Sequence, residues 1–104
     1  MELDLFRSFV AVANARSFTK AARQVHLTQP TLSRHIARLE REFGAPLLER
    51  YGRHVECTGA GEILLPLAQA IVTRTDQALS LVRNDAGMGR GIVRFGAVGQ
   101  VFAR

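Results

Sequence analysis

The sequence predicts a mainly α-helical fold in one small domain, and three features of the chain lead to this prediction. Apolar residues recur at spacings of three and four over most of residues 2–86, as they do on amphipathic helices. Residues that favour helix starts, Ser17 and Thr28, come directly before two of these runs. The 104-residue length and 47% apolar content suit one small domain, or one small domain with an extension.

The first two predicted helices each have one apolar face. The first covers about residues 2–14, and its apolar face consists of Phe6, Phe9, Val10 and Ala13. The second begins after the N-cap Ser17, and its inner face consists of Phe18, Ala21, Ala22 and Val25. Histidine tolerates a left-handed backbone better than most residues, so we interpret His26 as the residue that turns the chain toward Thr28.

The third predicted helix begins after Thr28, has Pro30 in its first turn and ends at Gly44. At about 100° per residue, one narrow stripe of this helix is apolar and must belong to the core. It consists of Leu32, Ile36, Leu39 and Phe43. A separate outer side has no acidic residue, and it consists of Gln29, Pro30, Ser33, Arg34, Ala37 and Arg41.

Two helices joined by a tight turn, the second of them capped, small and basic at its start, form a helix-turn-helix. In this motif the second helix enters the DNA major groove, where Arg pairs with guanine and Gln with adenine. The net charge of +5, with thirteen Arg and one Lys, also favours a polyanionic partner. A basic helix face can be merely a solvated surface, but the motif and its polar first turn favour DNA.

Other functions fit the sequence less well. A protein–protein contact would require an apolar or acidic outer side on the third helix. The glycines at positions 87, 89 and 91 lack the spacing of a dinucleotide site and precede a strand-like run, residues 92–95. The three histidines are on separate elements, and no nucleophile motif is present. We therefore expect no enzyme activity, no catalytic residue, no cofactor and no metal site.

The lone cysteine and the chain start suggest a location. Cys57 excludes an intrachain disulfide and fits a reducing cytoplasm; we expect it to pack as a small apolar residue rather than to sense oxidants. Met1 is followed by acidic residues, so we expect no signal peptide. The most apolar run, residues 63–72, is too short to span a bilayer.

Several motifs of this chain occur together in one protein family. They are Ser17-Phe-Thr-x-Ala-Ala, Leu27-Thr-Gln-Pro-Thr-Leu-Ser-Arg-x-Ile-x-x-Leu-Glu, Gly44-Ala-Pro-Leu-Leu-Glu-Arg and Gly91-Ile-Val-Arg-Phe-Gly-Ala. The chain resembles the N-terminal part of LysR-type transcriptional regulators. The resemblance implies a mainly α fold with a winged helix-turn-helix in residues 1–58 and a long dimerisation (linker) helix in 59–86. It also implies that residues 87–104 are a hinge and the first strand of a truncated effector-binding domain.

The resemblance implies a DNA-binding role for three groups of residues. The base-reading group is Gln29, Pro30, Thr31, Ser33 and Arg34, of which Thr31 matches a position that is often alanine in the family. The phosphate-contacting group is Ser17, Thr19, Lys20, Thr28 and Arg38. The wing covers residues 47–58, with Leu47 and Leu48 as anchors and Gly52 in the hairpin turn. Its tip is expected to bring Arg50, Arg53 and His54 together for the minor groove, although Arg50 could instead pair with a neighbouring Glu.

The linker helix carries an apolar stripe that is expected to pair with a second chain. The dimer-helix residues are Leu64, Ala68, Ile71, Thr75, Ala78, Leu79 and Val82. The alternative is that this helix folds back on its own domain. Gly59 stands where the family commonly has Glu, and Gly59, Gly61 and Pro66 together should loosen or bend the first turns.

The resemblance also implies the partners. They are double-stranded DNA with an interrupted inverted-repeat operator, a second copy of the chain, and further copies in the full-length protein. A small-molecule effector would bind only through the missing C-terminal domain, so we expect this chain alone to bind none. The expected location is the bacterial cytoplasm, without membrane contact.

Overall fold

The computed structural model describes residues 2–87. Its helices and strands are α1 (Leu3–Ala15), α2 (Phe18–Gln24), α3 (Gln29–Phe43), β1 (Leu48–Tyr51), β2 (His54–Cys57) and α4 (Gly59–Gly87). The prediction of a mainly α-helical, winged helix-turn-helix fold with a long last helix is confirmed. The strand-like run at residues 92–95 and most of the predicted hinge lie outside the described residues. By its contacts the chain divides into two compact units, Met1–Val72 and Thr73–Arg104.

Local capping sets the ends of the first three helices. Ser17 accepts the amide of Lys20 at 3.1 Å, and Thr28 accepts the amide of Thr31 at 3.3 Å, so both predicted N-caps are confirmed. His26 has a left-handed φ of 59°, as predicted for the turn between α2 and α3. Gly44 ends α3 with a φ of 70°. Arg16 ends α1 in the same left-handed region, which its residue type gave no reason to expect.

Helices α1, α2 and α3 enclose the core. From α1 it takes Leu5, Phe9 and Val12; from α2 Phe18, Ala21 and Ala22; and from α3 Leu32, Ile36 and Leu39. Ala21 is fully buried, and its small side chain allows the helices to approach closely. The prediction that Phe43 belongs to this core is wrong, because 45% of the residue is exposed. Phe43 lies in the last turn of α3, and its ring forms a T-shaped pair with the half-buried Phe6, with 6.4 Å between the ring centres.

The first turns of α4 belong to the same core. Leu64 is 8% exposed and Ala68 is fully buried, and both pack against the residues of the first unit. Their assignment to the dimer helix is therefore corrected: these two side chains are covered by their own chain. The alternative prediction, that this helix folds back on its own domain, therefore holds for the first turns of α4.

Gly61 explains why α4 can begin so close to the wing. Thr58 caps the helix by accepting the amide of Gly61 at 3.1 Å, and its own amide donates to the carbonyl oxygen of Leu47 at 3.0 Å. A Cβ on Gly61 would overlap that same carbonyl oxygen. Gly61 therefore permits a close approach of α4 to the wing. The predicted loosening of the first turns is wrong, because α4 is continuous from Gly59 through Pro66, while a bend at Pro66 stays a prediction.

Candidate nucleic-acid interface

The predicted base-reading residues lie together on the first half of α3. Gln29, Pro30 and Arg34 are exposed, and Thr31 and Ser33 are half-buried beside them. The core stripe of Leu32, Ile36 and Leu39 occupies the opposite side of the helix and holds it against α1 and α2. The packing therefore leaves this polar and basic side of α3 facing outward.

Gln29 joins the start of α3 to the start of α2. Its Nε2 donates to Thr19 Oγ1 at 3.1 Å. The sequence placed Gln29 with the base-reading residues and Thr19 with the phosphate contacts, and the fold brings the two side chains into direct contact. The amide oxygen and one N–H of Gln29 still have no partner among the described residues. These groups have the donor and acceptor pattern that pairs with adenine.

Arg34 is held by its neighbour one turn earlier. Its Nη2 donates to Thr31 Oγ1 at 3.0 Å, and the hydroxyl of Thr28 donates to the same oxygen at 3.0 Å. The guanidinium group remains exposed, so its other N–H groups can meet an acceptor in solution.

Four of the five predicted phosphate-contacting residues, Ser17, Thr19, Thr28 and Arg38, already have side-chain partners within the chain. Arg38 Nη1 lies 3.6 Å from Glu2 Oε2, with 52% and 64% of the two side chains exposed. Such an exposed pair is weak, so a phosphate can compete for Arg38. Ser17 uses its hydroxyl oxygen to cap α2, and the exposed Lys20 directly follows Thr19.

The wing is a two-stranded antiparallel hairpin whose turn contains Gly52, with a φ of 63°. Arg50 is paired with Val55. Directly opposed residues share a face of the hairpin, and Val55 is buried, so Arg50 lies on the face toward the domain. Its guanidinium carbon stands 4.0 Å above the centre of the Phe18 ring. The partner of Arg50 is thus an aromatic ring and not the neighbouring Glu of the alternative prediction.

The predicted cluster of Arg50, Arg53 and His54 at the wing tip is not formed. Arg50 faces Phe18, and His54 stacks on Tyr51 and lies 2.9 Å from a Glu56 oxygen. Arg53 alone stands in the turn, and within residues 2–87 it has no hydrogen bond or ion pair. The reason is that successive side chains in a strand point to opposite faces, and the side chain of Arg50 is on the face toward the domain.

A three-residue cluster that sequence reasoning missed attaches the wing to the end of α1. Glu56 Oε2 accepts from Arg16 Nη2 at 3.0 Å and contacts His54, while the amide of Val55 donates to the Arg16 carbonyl at 3.1 Å. The hydrogen bond with His54 and the charge of Arg16 lower the pKa of Glu56. Arg16 and Glu56 are 40 positions apart, so no local pattern could have indicated the pair.

A second missed contact fixes α3 on α1. Ser8 Oγ lies 2.7 Å from Nδ1 of His35, and Ser8 is almost fully buried. A serine within the apolar face of α1 was the available signal, because a buried hydroxyl requires a partner. The contact limits rotation of α3 about its axis and so helps to set which residues face outward.

Glu40 connects the end of α3 to the wing. Its Oε2 accepts the amides of Leu47 at 2.8 Å and Leu48 at 3.3 Å. Leu47 directly precedes β1 and Leu48 is its first residue, so Glu40 binds the wing where its first strand begins. The position of the wing relative to α3 therefore depends on one carboxylate.

We expect Glu40→Ala to lower the free energy of unfolding by about 1–3 kcal/mol, because two half-buried amides lose a charged acceptor. The measurement is equilibrium unfolding in urea. Glu42→Ala is the matched control, since Glu42 is exposed on the same turn and should change the stability by less than about 0.5 kcal/mol. Equal losses for the two variants would contradict the connecting role of Glu40.

Cys57 behaves as a packing residue. It is half-buried against the core, and burial, together with the nearby carboxylate of Glu62, raises the pKa of its thiol. A raised pKa leaves little thiolate at neutral pH. Among residues 2–87, no group of three or more His, Cys, Asp or Glu side chains could hold a metal ion, and no helix is long and apolar enough to cross a membrane.

Residues 3–62 match the family described as "Bacterial regulatory helix-turn-helix protein, lysR family". The chain belongs to this family. The LysR-type resemblance read from the sequence is confirmed. Relatives include the transcriptional regulator BudR of Raoultella terrigena, 49% identical over 92 residues, and the regulator BenM of Acinetobacter baylyi, 42% identical over 101 residues. These matches cover 88% and 97% of the chain but only 31% and 33% of BudR and BenM.

Solved structures of LysR-family proteins share the fold. The complex of the BenM DNA-binding domain with catB site 1 DNA has a TM-score of 0.76 at 43% identity, over 83% of this chain and 97% of that domain. The complex of the CbnR DNA-binding domain with DNA has a TM-score of 0.73 at 35% identity, over 83% of this chain and 99% of that domain. The LysR-family relatives are named as regulators and not as enzymes, in line with the prediction that this chain is not an enzyme.

Proposed function

We propose that this chain binds double-stranded DNA sequence-specifically, as the DNA-binding part of a LysR-type transcriptional regulator. The observation that supports the proposal most is the outward side of α3. It presents Gln29, Ser33 and Arg34 near the start of the helix, where the helix of a helix-turn-helix meets base edges. The DNA complexes of the similar BenM and CbnR domains support the same function.

The side chains of this surface can be divided by what they can contact. Gln29 and Arg34 have the donor patterns that recognise adenine and guanine. Thr19, Lys20, Thr28 and Arg38 surround them and can contact phosphates, which position a protein on DNA without reading the sequence. We assign the minor groove to Arg53, which lies at the turn of the wing, and not to Arg50, which is stacked on Phe18.

We further propose that the chain acts as a homodimer through the exposed part of α4. Ile71 and Leu79 are each 42% exposed and Val82 is 68% exposed, although all three are apolar. Two copies would place two α3 helices on an interrupted inverted repeat, because a dimer with twofold symmetry matches a symmetric site. Higher oligomers and effector binding would belong to the full-length protein. We also propose that the DNA-binding domain ends at residue 58 and the dimerisation helix at residue 86.

The proposed location is the cytoplasm of a bacterium, where the chromosomal DNA is accessible. The family description names bacterial regulatory proteins, which supports this location.

The test is selection of bound sequences from a random DNA pool, followed by binding to single-base variants of the selected operator at several salt concentrations. We expect Arg34→Ala to cost about 1–3 kcal/mol on the operator and to relax the preference at one or two base pairs. Arg38→Ala should weaken binding on every sequence and lower the salt slope by about one counterion.

Arg34→Lys is the matched control, because it keeps the charge but loses the planar fork that pairs with guanine. It should lose discrimination at the same base pairs while it keeps most of the salt-dependent affinity. A pool that yields no enriched sequence would refute the proposed function. A uniform loss with Arg34→Ala and a changed base preference with Arg38→Ala would show that the two sides of α3 are wrongly assigned.

A further inference from the structure

Thr31 lies at the centre of a short chain of hydrogen bonds at the start of α3. Its amide donates to Thr28 Oγ1 at 3.3 Å, as in an N-cap. The hydroxyl of Thr28 then donates its own proton to Thr31 Oγ1 at 3.0 Å. Arg34 Nη2 donates to the same Thr31 oxygen at 3.0 Å. The cap of the helix and the guanidinium of Arg34 are therefore connected through one hydroxyl oxygen.

The hydrogen-bonding capacity of Thr31 is almost used up by these contacts. A hydroxyl oxygen has two acceptor positions and one proton to donate. Thr28 and Arg34 fill both acceptor positions. Thr31 cannot accept a hydrogen bond from the amino group of a base unless one of these two partners leaves. It can offer only its proton or its methyl group.

The hydrogen bond to Thr31 orders the side chain of Arg34 before DNA binds. Its side chain is exposed, and a long exposed side chain that must become ordered on binding loses up to about 2 kcal/mol of conformational entropy. The two residues are three positions apart on α3, so they are neighbours on the same side of the helix. One N–H of Arg34 is bound to Thr31, and four remain for an acceptor on DNA.

We infer that Thr31 is a positioning residue, which sets the guanidinium of Arg34 in place to meet a guanine edge and does not itself read a base. The inference rests on the proposed function, since it assigns the part that Thr31 has in DNA recognition. It differs from the prediction made from the sequence, which placed Thr31 with the base-reading residues.

Two substitutions separate positioning from direct reading. Thr31→Val keeps the shape and the methyl group but replaces the hydroxyl that holds Arg34 with a second methyl group. Thr31→Ser keeps the oxygen but removes the methyl group that could contact a thymine. Both leave the amide of residue 31 bound to Thr28, and threonine, serine and valine have similar helix propensities. Thermal unfolding of each variant verifies that the fold is kept.

The first measurement needs no DNA. Relaxation of the ¹⁵N nucleus at Nε of Arg34 reports the motion of its side chain in the 104-residue protein. We expect the side chain to be more mobile in Thr31→Val than in the wild-type protein, and as ordered as wild type in Thr31→Ser. Equal order of Arg34 in all three proteins would overturn the inference, whatever the protein binds.

The second measurement uses the operator variants described above. The base pair that Arg34 reads is the one at which Arg34→Ala lowers discrimination. If Arg34→Ala lowers discrimination at none of the base pairs, the inference is overturned. We expect Thr31→Val to lower discrimination at that base pair about threefold to tenfold, the value of one hydrogen bond, and Thr31→Ser to retain it. In the Arg34→Ala background, Thr31→Val should have no further effect at that position, because its only route is through Arg34.

The opposite results are equally informative. Loss of discrimination with Thr31→Ser but not with Thr31→Val would show that the methyl group reads a thymine, and would overturn the inference. The inference would also be overturned if Thr31→Val lowered discrimination equally in the wild-type and Arg34→Ala backgrounds. If the wild-type protein prefers no sequence at all, the proposed function fails, while the relaxation experiment still decides whether Thr31 orders Arg34.

Discussion

Replacement of Gly61 by alanine is expected to destabilise the folded protein by about 2–3 kcal/mol. A Cβ at this position would overlap the carbonyl oxygen of Leu47 and would also lie 3.2 Å from Cβ of Cys57. Backbone cannot move aside as the end of a flexible side chain can, so α4 or the wing would have to shift. The same carbonyl accepts the amide of Thr58, and that bond would be strained by the shift. The measurement is the free energy of unfolding in urea.

Gly59→Ala is the matched control for this prediction. Gly59 lies two positions earlier in the same helical turn, and a Cβ there meets nothing within 4 Å. Alanine has a higher helix propensity than glycine, so this variant should be unchanged or more stable by up to about 1 kcal/mol. If both variants gained stability, the close contact between Gly61 and Leu47 would be refuted, because propensity alone would then explain the data.

Leu79→Glu is expected to separate the proposed homodimer into monomers and to lower operator affinity by about 100-fold or more. Leu79 is apolar but 42% exposed in the single chain, and in the described part of the same unit the neighbouring Val82 is 68% exposed. A carboxylate placed between two paired helices would be buried without a partner, which is strongly unfavourable. A monomer has one α3 helix and loses the second half of the operator, so the two losses should occur together.

The measurements are sedimentation velocity and operator binding at the same protein concentrations. Gln77→Glu is the matched control, because it introduces the same carboxylate on an exposed position about 160° around the helix from Leu79. The control should remain dimeric and bind the operator almost normally. A Leu79→Glu protein that sediments as the wild type does, or a wild-type monomer that binds the operator specifically, would refute the proposed dimer.

Most of the local structure of this protein could be predicted from its sequence. Ser17 and Thr28 cap their helices as predicted, because a hydroxyl needs only an amide two or three residues away. His26 and Gly52 have left-handed backbones where the turns were predicted. Such signals depend on a few consecutive residues, so one sequence is enough to recognise them. The motifs around α3 were also sufficient to identify the family, which the match of residues 3–62 confirms.

Two of the errors concern contacts between residues far apart in the chain. Leu64 and Ala68 have the spacing of a dimer helix, but both are buried in the core of their own domain. Arg50 is only three positions from Arg53 in the sequence, but its side chain packs on Phe18 of α2 and does not join Arg53 at the wing tip.

The sequence by itself determined the approximate positions of the first three helices, the turn between α2 and α3 and the polar side of α3, and the family resemblance added the wing hairpin. The first three features follow from a periodicity, a cap or a turn signal within a few consecutive residues. Only the tertiary structure decided that Glu40 holds the wing, that Ser8 meets His35, and which apolar residues of α4 remain exposed. The physical reason is that side chains on separate elements meet only after the helices have packed, and helical periodicity records that a face is apolar but not which surface covers it.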